Sequence, residues 1–102
     1  MSSAESPFEV LLSPGAARAY RKLPASVQQR IQRSLKRLAA SAATPGRIGG
    51  KNVRTIRWQA DSFHRLRVVD YRVMYDLHDD DRVLHVLGIV HSGDLERWLR
   101  SR

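Results

Sequence analysis

Residues 65–75 read Arg-Leu-Arg-Val-Val-Asp-Tyr-Arg-Val-Met-Tyr, and this segment gives the clearest indication of how the chain folds. Polar and apolar side chains alternate on both sides of residues 69–70, which is the pattern of two half-buried strands. The short connection between them predicts a tight antiparallel hairpin. The alternation places Arg65 and Arg67 on one face of the first strand, and Arg72 lies on the neighbouring strand just beyond the turn.

The same period of two extends outward from this hairpin. Polar connections at residues 59–62 and 78–81 separate the predicted strands, which cover residues 53–58, 63–68, 71–77 and 83–90. Three successive acids from Asp79 to Asp81 could suggest a cation site, but acids at a hairpin tip favour a solvated turn. A final short helix is predicted over residues 94–101, with its apolar side chains facing inward: Leu95, Trp98 and Leu99.

The N-terminal half has helical periodicity after one short strand, predicted over residues 8–12. Ser13 is a suitable N-cap and Pro14 a suitable first residue for a helix over residues 14–22. Pro24 then interrupts the chain. The clearest helix is predicted over residues 25–40, because apolar residues recur on one stripe: Val27, Ile31, Leu35 and Leu38. Small residues, Gly and Pro predict a mobile loop over residues 41–50.

The predicted order is β-α-α-β-β-β-β-α, which is an α+β fold in a single domain over residues 1–102, with residues 1–6 flexible. All the helices, an N-terminal helical hairpin and a short C-terminal helix, are expected to pack on one side of a mainly antiparallel twisted sheet. With 42% hydrophobic and 27% charged residues and no apolar run of about 20 residues, the composition favours a cytoplasmic protein without membrane contact. The absence of Cys excludes disulfides and thiolate chemistry.

The charge is unevenly distributed along the chain. The sequence holds 18 Lys+Arg against 10 Asp+Glu, a net charge of +8. Residues 1–60 carry +9 of this charge, and residues 61–102 carry −1. A basic half of this kind favours polyanions such as nucleic acid, because neutralised phosphates release counterions. A solvated basic surface that keeps a small domain soluble is the alternative.

Few residues carry recognisable chemistry. The sequence lacks a phosphate-binding loop, a dinucleotide-binding glycine pattern and a nucleophile elbow, and its four histidines lack metal-ligand spacing, so we expect no metal and no cofactor. The three arginines of the central hairpin could together clamp a phosphate or stabilise the charge that develops on it during cleavage. Alternatively, Arg65 or Arg72 forms an ordinary surface ion pair with Asp70 or Asp76.

Three phrases resemble the RelE/ParE superfamily of bacterial toxins from type II toxin–antitoxin systems. Residues 13–24, Ser-Pro-Gly-Ala-Ala-Arg-Ala-Tyr-Arg-Lys-Leu-Pro, look like the first helix of the family with its terminal Lys-Leu-Pro. Residues 65–75 are similar to its Arg-Leu-Arg-Val-Gly-Asp-Tyr-Arg pattern, and residues 86–91 match the strand that leads into its C-terminal His-Arg segment. The resemblance covers roughly residues 7–98.

The resemblance implies a toxin that a cognate antitoxin neutralises in a hetero-oligomer. RelE-type members enter the ribosomal A site and cut mRNA without metal, the ribose 2′-OH attacking the adjacent phosphate. By position in the family pattern, Arg72 would stabilise the transition-state charge, and Arg65 and Arg67 would bind phosphate or, less readily for a guanidinium, transfer a proton. The RNA backbone would contact the basic residues of the preceding segment: Lys51, Arg54 and Arg57.

The C-terminal segment departs from the RelE pattern. Ser92 stands where RelE-type nucleases commonly carry Arg. The usual Tyr position falls on Glu96 at the commonest spacing, or on Trp98 at a longer one. His91 could serve as a general acid or base, or it could be a strand-end histidine bonded to the backbone. Two alternatives to an mRNA endoribonuclease therefore stay open: a ParE-like toxin that inhibits DNA gyrase without a catalytic set, and a degenerate member that only binds its antitoxin.

Overall fold

A computed structural model describes residues 7–42, 53–58 and 61–102, and its first elements follow the sequence closely. Strand β1 spans Glu9–Leu12 and helix α1 spans Pro14–Arg21. The side chain of Ser13 caps this helix, because its Oγ accepts a hydrogen bond from the Ala16 N–H at 3.1 Å. The same hydroxyl donates to the Leu87 carbonyl at 3.0 Å, which ties the start of the helix to the sheet.

Helix α2 spans Ala25–Ala42 and buries one stripe against the sheet: Ile31, Leu35 and Ala39. The prediction that a loop begins at residue 41 was wrong by two residues. Alanine has the highest helix propensity, and Ala42 packs against the core, so the helix gains by continuing. The rest of that predicted loop, residues 43–50, lies outside the described residues.

Four further strands complete a five-stranded sheet of order β1-β5-β4-β3-β2. They are β2, β3, β4 and β5, spanning Val53–Trp58, Asp61–Val68, Tyr71–His78 and Val83–His91. The strands from β2 to β5 pair antiparallel, whereas β1 runs parallel to β5. These pairings confirm the mainly antiparallel sheet and the α+β class.

The connection between β2 and β3 is shorter than predicted. Trp58 pairs with Asp61 in the backbone register, so only residues 59–60 separate the strands, and those two lie outside the described residues. The prediction ended the connection at residue 62 because residues 61–62 are polar. A ladder is built from backbone groups, so the pairing extends over polar residues as well.

Two apolar clusters lie on opposite faces of the sheet. Helices α1 and α2 cover the larger one, which includes Ile31 and Tyr75. After a 3₁₀ turn at Ser92–Asp94, helix α3 spans Leu95–Arg100 and covers the smaller cluster around Phe63. The prediction that all helices lie on one side was therefore wrong for α3. The outer face of the sheet carries apolar side chains as well, and a helix has to remove them from water.

Within the described part of the chain, no helix is long and apolar enough to span a membrane.

Candidate nucleic-acid interface

Four arginines meet on the face of the sheet that also carries α3. Arg67 of β3 lies directly opposite Arg72 of β4, and Arg54 of β2 lies directly opposite Arg65 of β3. Directly opposite residues share a face, and so do residues two positions apart on one strand. We call Arg54, Arg65, Arg67 and Arg72 the arginine cluster. The sequence placed three of its members together, and the sheet register adds Arg54.

The members of the arginine cluster are close enough to repel one another. The pKa of Arg65 is lowered, first by burial of its guanidinium and then by the positive charges of Arg72, Arg54 and Arg67. The Nε of Arg65 is buried and has no hydrogen-bond partner in the structure. A buried donor without an acceptor is costly, so an anion that reached this nitrogen would relieve both the repulsion and the unmet hydrogen bond.

None of the acidic side chains that the structure describes forms an ion pair with the arginine cluster. Over residues 7–42, 53–58 and 61–102, the structure records two ion pairs, Arg97–Asp94 at 3.9 Å and Arg100–Glu96 at 3.2 Å. Both pairs are exposed and join neighbouring turns at the C-terminal end. The alternative from the sequence, in which Arg65 or Arg72 pairs with Asp70 or Asp76, is therefore not what the structure shows.

Arg72 is held in place by the turn that precedes it. Its Nη1 donates to the Tyr71 carbonyl at 3.0 Å and to the Val69 carbonyl at 3.3 Å. The backbone of Val69 has a φ of 54°, in the left-handed region that a β-branched residue rarely adopts. This conformation belongs to the two-residue hairpin loop between β3 and β4. The guanidinium of Arg72 is thus oriented by the main chain of its own turn.

His91 lies at the end of β5, next to the same turn. Its Nδ1 accepts a hydrogen bond from the Gly93 N–H at 3.2 Å, and its ring contacts the edge of Tyr71 with 5.6 Å between ring centroids. The Ser92 N–H donates to the Asp70 carbonyl at 2.8 Å, which joins the end of β5 to the hairpin loop. Because Nδ1 accepts, the proton of the neutral ring lies on Nε2.

The structure describes the three predicted RNA-binding residues of the preceding segment to different extents. Arg54 is exposed and belongs to the arginine cluster. Arg57 of β2 pairs with Ser62 of β3 in the backbone register, and the side chain of Arg57 lies outside the described part. Lys51 lies outside the described residues altogether.

A second basic feature of the structure was not predicted from the sequence. A groove of about 220 Å³ lies between α2 and the end of β3 and is lined by Arg30, Arg33, Ser34, Arg37, Arg67, Val68 and Val69. We call it the helix groove. The arginines of α2 follow one another at spacings of three and four, which places them on one helix face. This spacing, in a segment without any acid from residue 14 to residue 42, was the available signal.

The described residues contain no group of three or more histidines and acids that could hold a metal ion. Asp79, Asp80 and Asp81 form part of the turn between β4 and β5, and all three are exposed. Three acids at a hairpin tip predict such a solvated turn.

The profile of a toxin family matches residues 10–96, and that family is described as the ParE toxin of type II toxin–antitoxin system, parDE. The match covers most of the chain. The chain belongs to the ParE toxin family. This assignment confirms the prediction, made from the sequence, that the chain belongs to the RelE/ParE superfamily of type II toxin–antitoxin systems.

Solved structures of RelE proteins share the fold of this ParE-family chain. The RelE–RelB complex from Pyrococcus horikoshii OT3 is 21% identical with a TM-score of 0.67, covering 86% of this chain and 98% of that one. The toxin–antitoxin complex RelBE2 from Mycobacterium tuberculosis is 18% identical with a TM-score of 0.68, covering 84% and 99%. A mutant of E. coli RelE in the free state is 16% identical with a TM-score of 0.59, covering 94% and 93%.

At these identities the similarity to the RelE structures establishes the fold alone. A comparison with curated protein sequences finds no match.

Proposed function

We propose that this ParE-family chain is a toxin that binds a cognate antitoxin and, when free of it, cleaves mRNA on the ribosome. The arginine cluster carries this proposal, because four guanidinium groups meet on one face of the sheet without a described acid to neutralise them. Such an arrangement costs stability unless it binds an anion. RNA supplies that anion at every nucleotide.

The proposed reaction is an internal transesterification. The ribose 2′-oxygen forms a bond to the adjacent phosphorus, and the bond from phosphorus to the 5′-oxygen of the next nucleotide breaks. The proton of the 2′-OH leaves to a base, and the departing 5′-oxygen gains a proton. The products are a 2′,3′-cyclic phosphate and a 5′-OH, so no metal is needed to balance the step.

Each residue of the arginine cluster would have a role in this reaction that depends on its position. Arg72 is oriented by the Val69 and Tyr71 carbonyls and would donate to the phosphate oxygens as their negative charge grows. Arg65 and Arg67 lie beside it and would bind the phosphate in the ground state. Arg54 extends the same face towards β2 and would contact a neighbouring phosphate.

His91 is the candidate for proton transfer, and the structure sets a condition on that role. While Nδ1 accepts from Gly93, Nε2 carries the proton of the neutral ring and cannot accept another. To act as a base through Nε2, the ring would change tautomer and release Gly93. The structural role as a cap and the catalytic role therefore compete for the same nitrogen.

A translation extract tests the proposal. The protein is added without an antitoxin, and new mRNA 5′ ends are mapped for the wild type and for Arg72→Ala. We expect cleavage within the codon in the ribosomal A site and a loss of about 10²–10³-fold in rate for Arg72→Ala. Arg97→Ala is the matched control, because Arg97 is exposed on α3 and pairs with Asp94. Intact mRNA with the wild type would refute the nuclease proposal.

A second candidate function is inhibition of DNA gyrase, which the resemblance to ParE-like toxins implies and which agrees with the match to a ParE toxin family. Two observations favour it: His91 is engaged in the backbone cap, and Ser92 and Glu96 replace the Arg and Tyr expected of a RelE-type nuclease. In that case the arginine cluster would bind DNA or the enzyme without cutting anything. Trapped gyrase–DNA complexes alongside intact mRNA would establish this alternative.

An antitoxin partner is common to both candidates. The Pyrococcus horikoshii and Mycobacterium tuberculosis neighbours were solved as toxin–antitoxin complexes. An acidic segment of an antitoxin would neutralise the arginine cluster and block its access to phosphate. Co-purification with the product of an adjacent short reading frame tests for this partner. If the partner binds but the chain alone shows no toxicity, the chain is a degenerate member.

A further inference from the structure

The helix groove is separate from the arginine cluster but shares one residue with it. The cluster lies on the α3 side of the sheet, whereas the groove lies on the opposite side, between α2 and the end of β3. Arg67 belongs to both features, since it lies opposite Arg72 in the ladder and also lines the groove. The two features therefore form one continuous basic path around the end of β3.

The chemistry of the helix groove selects an anion. Arg30, Arg33 and Arg37 project from one face of α2, and Ser34 of the same helix also lines the groove. All three arginines are exposed, and neither α1 nor α2 contains an acid that could pair with them. Guanidinium groups present planar pairs of donors that match phosphate oxygens, whereas a neutral ligand would leave these charges uncompensated.

We propose that the helix groove is a second phosphate-binding site, which holds the sugar–phosphate backbone of a single RNA strand as it leaves the arginine cluster. This inference rests on the proposed action on mRNA. It adds a site for a phosphate that lies away from the reacting one. Binding there uses the RNA backbone, so it positions the strand without reading its sequence.

An acidic protein segment fits the helix groove less well. An amphipathic antitoxin helix needs apolar surface for the face that it buries. Of the two valines that line the groove, Val68 is already buried in the core and only Val69 is exposed, at 48%. Phosphate groups need no apolar wall, and they match the guanidinium lining directly.

Two triple variants of the full chain test the proposal. The first removes the groove charges through Arg30→Gln, Arg33→Gln and Arg37→Gln. The second, the matched control, removes three exposed charges of the same helices outside the groove through Arg18→Gln, Arg21→Gln and Lys36→Gln. Glutamine is a good helix former, so both variants should keep the fold, which circular dichroism checks.

The readout is the anisotropy of a labelled single-stranded RNA of mixed sequence at several salt concentrations. We expect the groove variant to weaken binding by roughly tenfold or more and to lower the salt slope by about 0.7 for each phosphate that the variant no longer binds. The control should change the affinity by less than about threefold, because isolated exposed charges are screened. Equal effects of the two variants, or no RNA binding by the parent protein, would overturn the proposal.

A Glu-rich peptide in the same assay separates the two kinds of partner. If the groove variant loses affinity for the peptide but keeps its affinity for RNA, the groove binds protein and the proposal fails. The binding assay and the cleavage assay can also fail independently of each other. Loss of cleavage in Arg72→Ala together with unchanged RNA binding by the groove variant would leave the nuclease intact and remove only the second phosphate site.

Discussion

Arg67 and Arg72 face each other directly across the β3–β4 ladder, and the described residues include no acid that pairs with either. Like charges at directly opposite positions of an antiparallel pair destabilise the sheet. The β3–β4 hairpin therefore carries an unfavourable pair of charges next to its turn. Such a cost is typical of a functional site, where stability is given up for ligand binding.

We expect Arg67→Gln to stabilise the free protein by about 0.2–1 kcal/mol, because it removes the repulsion across the ladder. The gain should shrink as salt is added, since salt screens the charge that the mutation removes. Urea unfolding at low and high salt measures both effects. A destabilisation that is independent of salt would mean that Arg67 contributes packing which the structure does not reveal.

His91→Asn and His91→Ala separate capping from catalysis. Asn accepts a hydrogen bond at an N-cap and Ala does not, so Asn should keep the stability that Ala loses, about 0.5–2 kcal/mol. If His91 acts only as the cap of the 3₁₀ turn, the Asn variant also keeps full toxicity. Loss of toxicity in a stable Asn variant would assign a proton-transfer role to the ring.

Val69→Gly should raise the free energy of unfolding by about 1 kcal/mol. A left-handed φ costs a β-branched residue about 1–3 kcal/mol, and glycine removes this strain. Part of the resulting stabilisation is lost, because glycine has more conformational freedom in the unfolded chain. The side chain is 48% exposed, so little packing is lost. The RelE/ParE pattern itself has Gly here. Thermal unfolding checks the prediction.

Arg82→Gly is the comparison for Val69→Gly, because Arg82 has a similar φ of 53°. Its guanidinium lies over the Phe8 ring at 5.0 Å from the centroid, so the substitution removes this cation–π interaction as well as the strain. We expect a smaller gain than at Val69. If both variants were destabilised, backbone strain would not explain either position.

Gly88→Ala should destabilise the fold by about 1–3 kcal/mol, because a Cβ at this buried position would overlap the indole of Trp98. Gly15→Ala is the control. A Cβ at Gly15 meets nothing nearer than an Arg18 nitrogen at 3.9 Å, and alanine favours the helix. Chemical denaturation of both variants tests the docking of α3, and a neutral Gly88→Ala would show that α3 does not pack where the structure places it.

Tyr75 predicts how stability changes at alkaline pH. Burial raises the pKa of Tyr75 to about 12, against about 10 in an unfolded chain. The folded state therefore holds the phenol proton more tightly, so this contribution to stability is complete below pH ~10 and is lost as the pH rises towards ~12. Tyr75→Phe should flatten the fall in stability over this range. An equal fall in both proteins would assign alkaline unfolding to other groups.

The candidate site could be predicted in part from the sequence. The alternation in residues 65–75 already placed Arg65, Arg67 and Arg72 together, because strand periodicity and a two-residue loop leave little freedom. Arg54 was added to this group only by the register of β2 with β3. That register depends on the length of the β2–β3 connection, which the sequence predicted two residues too long. Their roles in binding or cleavage stay predictions that the proposed assays test.

The order of the elements and the antiparallel pairing of consecutive strands from β2 to β5 follow from the sequence alone, because apolar periodicity and turn residues act over short distances along the chain. The sequence did not determine that α3 covers the second face of the sheet, nor that Arg67 meets the arginines of α2. Both depend on how elements distant in sequence pack. Tertiary structure decided them, because burial of apolar surface is non-directional and selects a partner only through the complete three-dimensional arrangement.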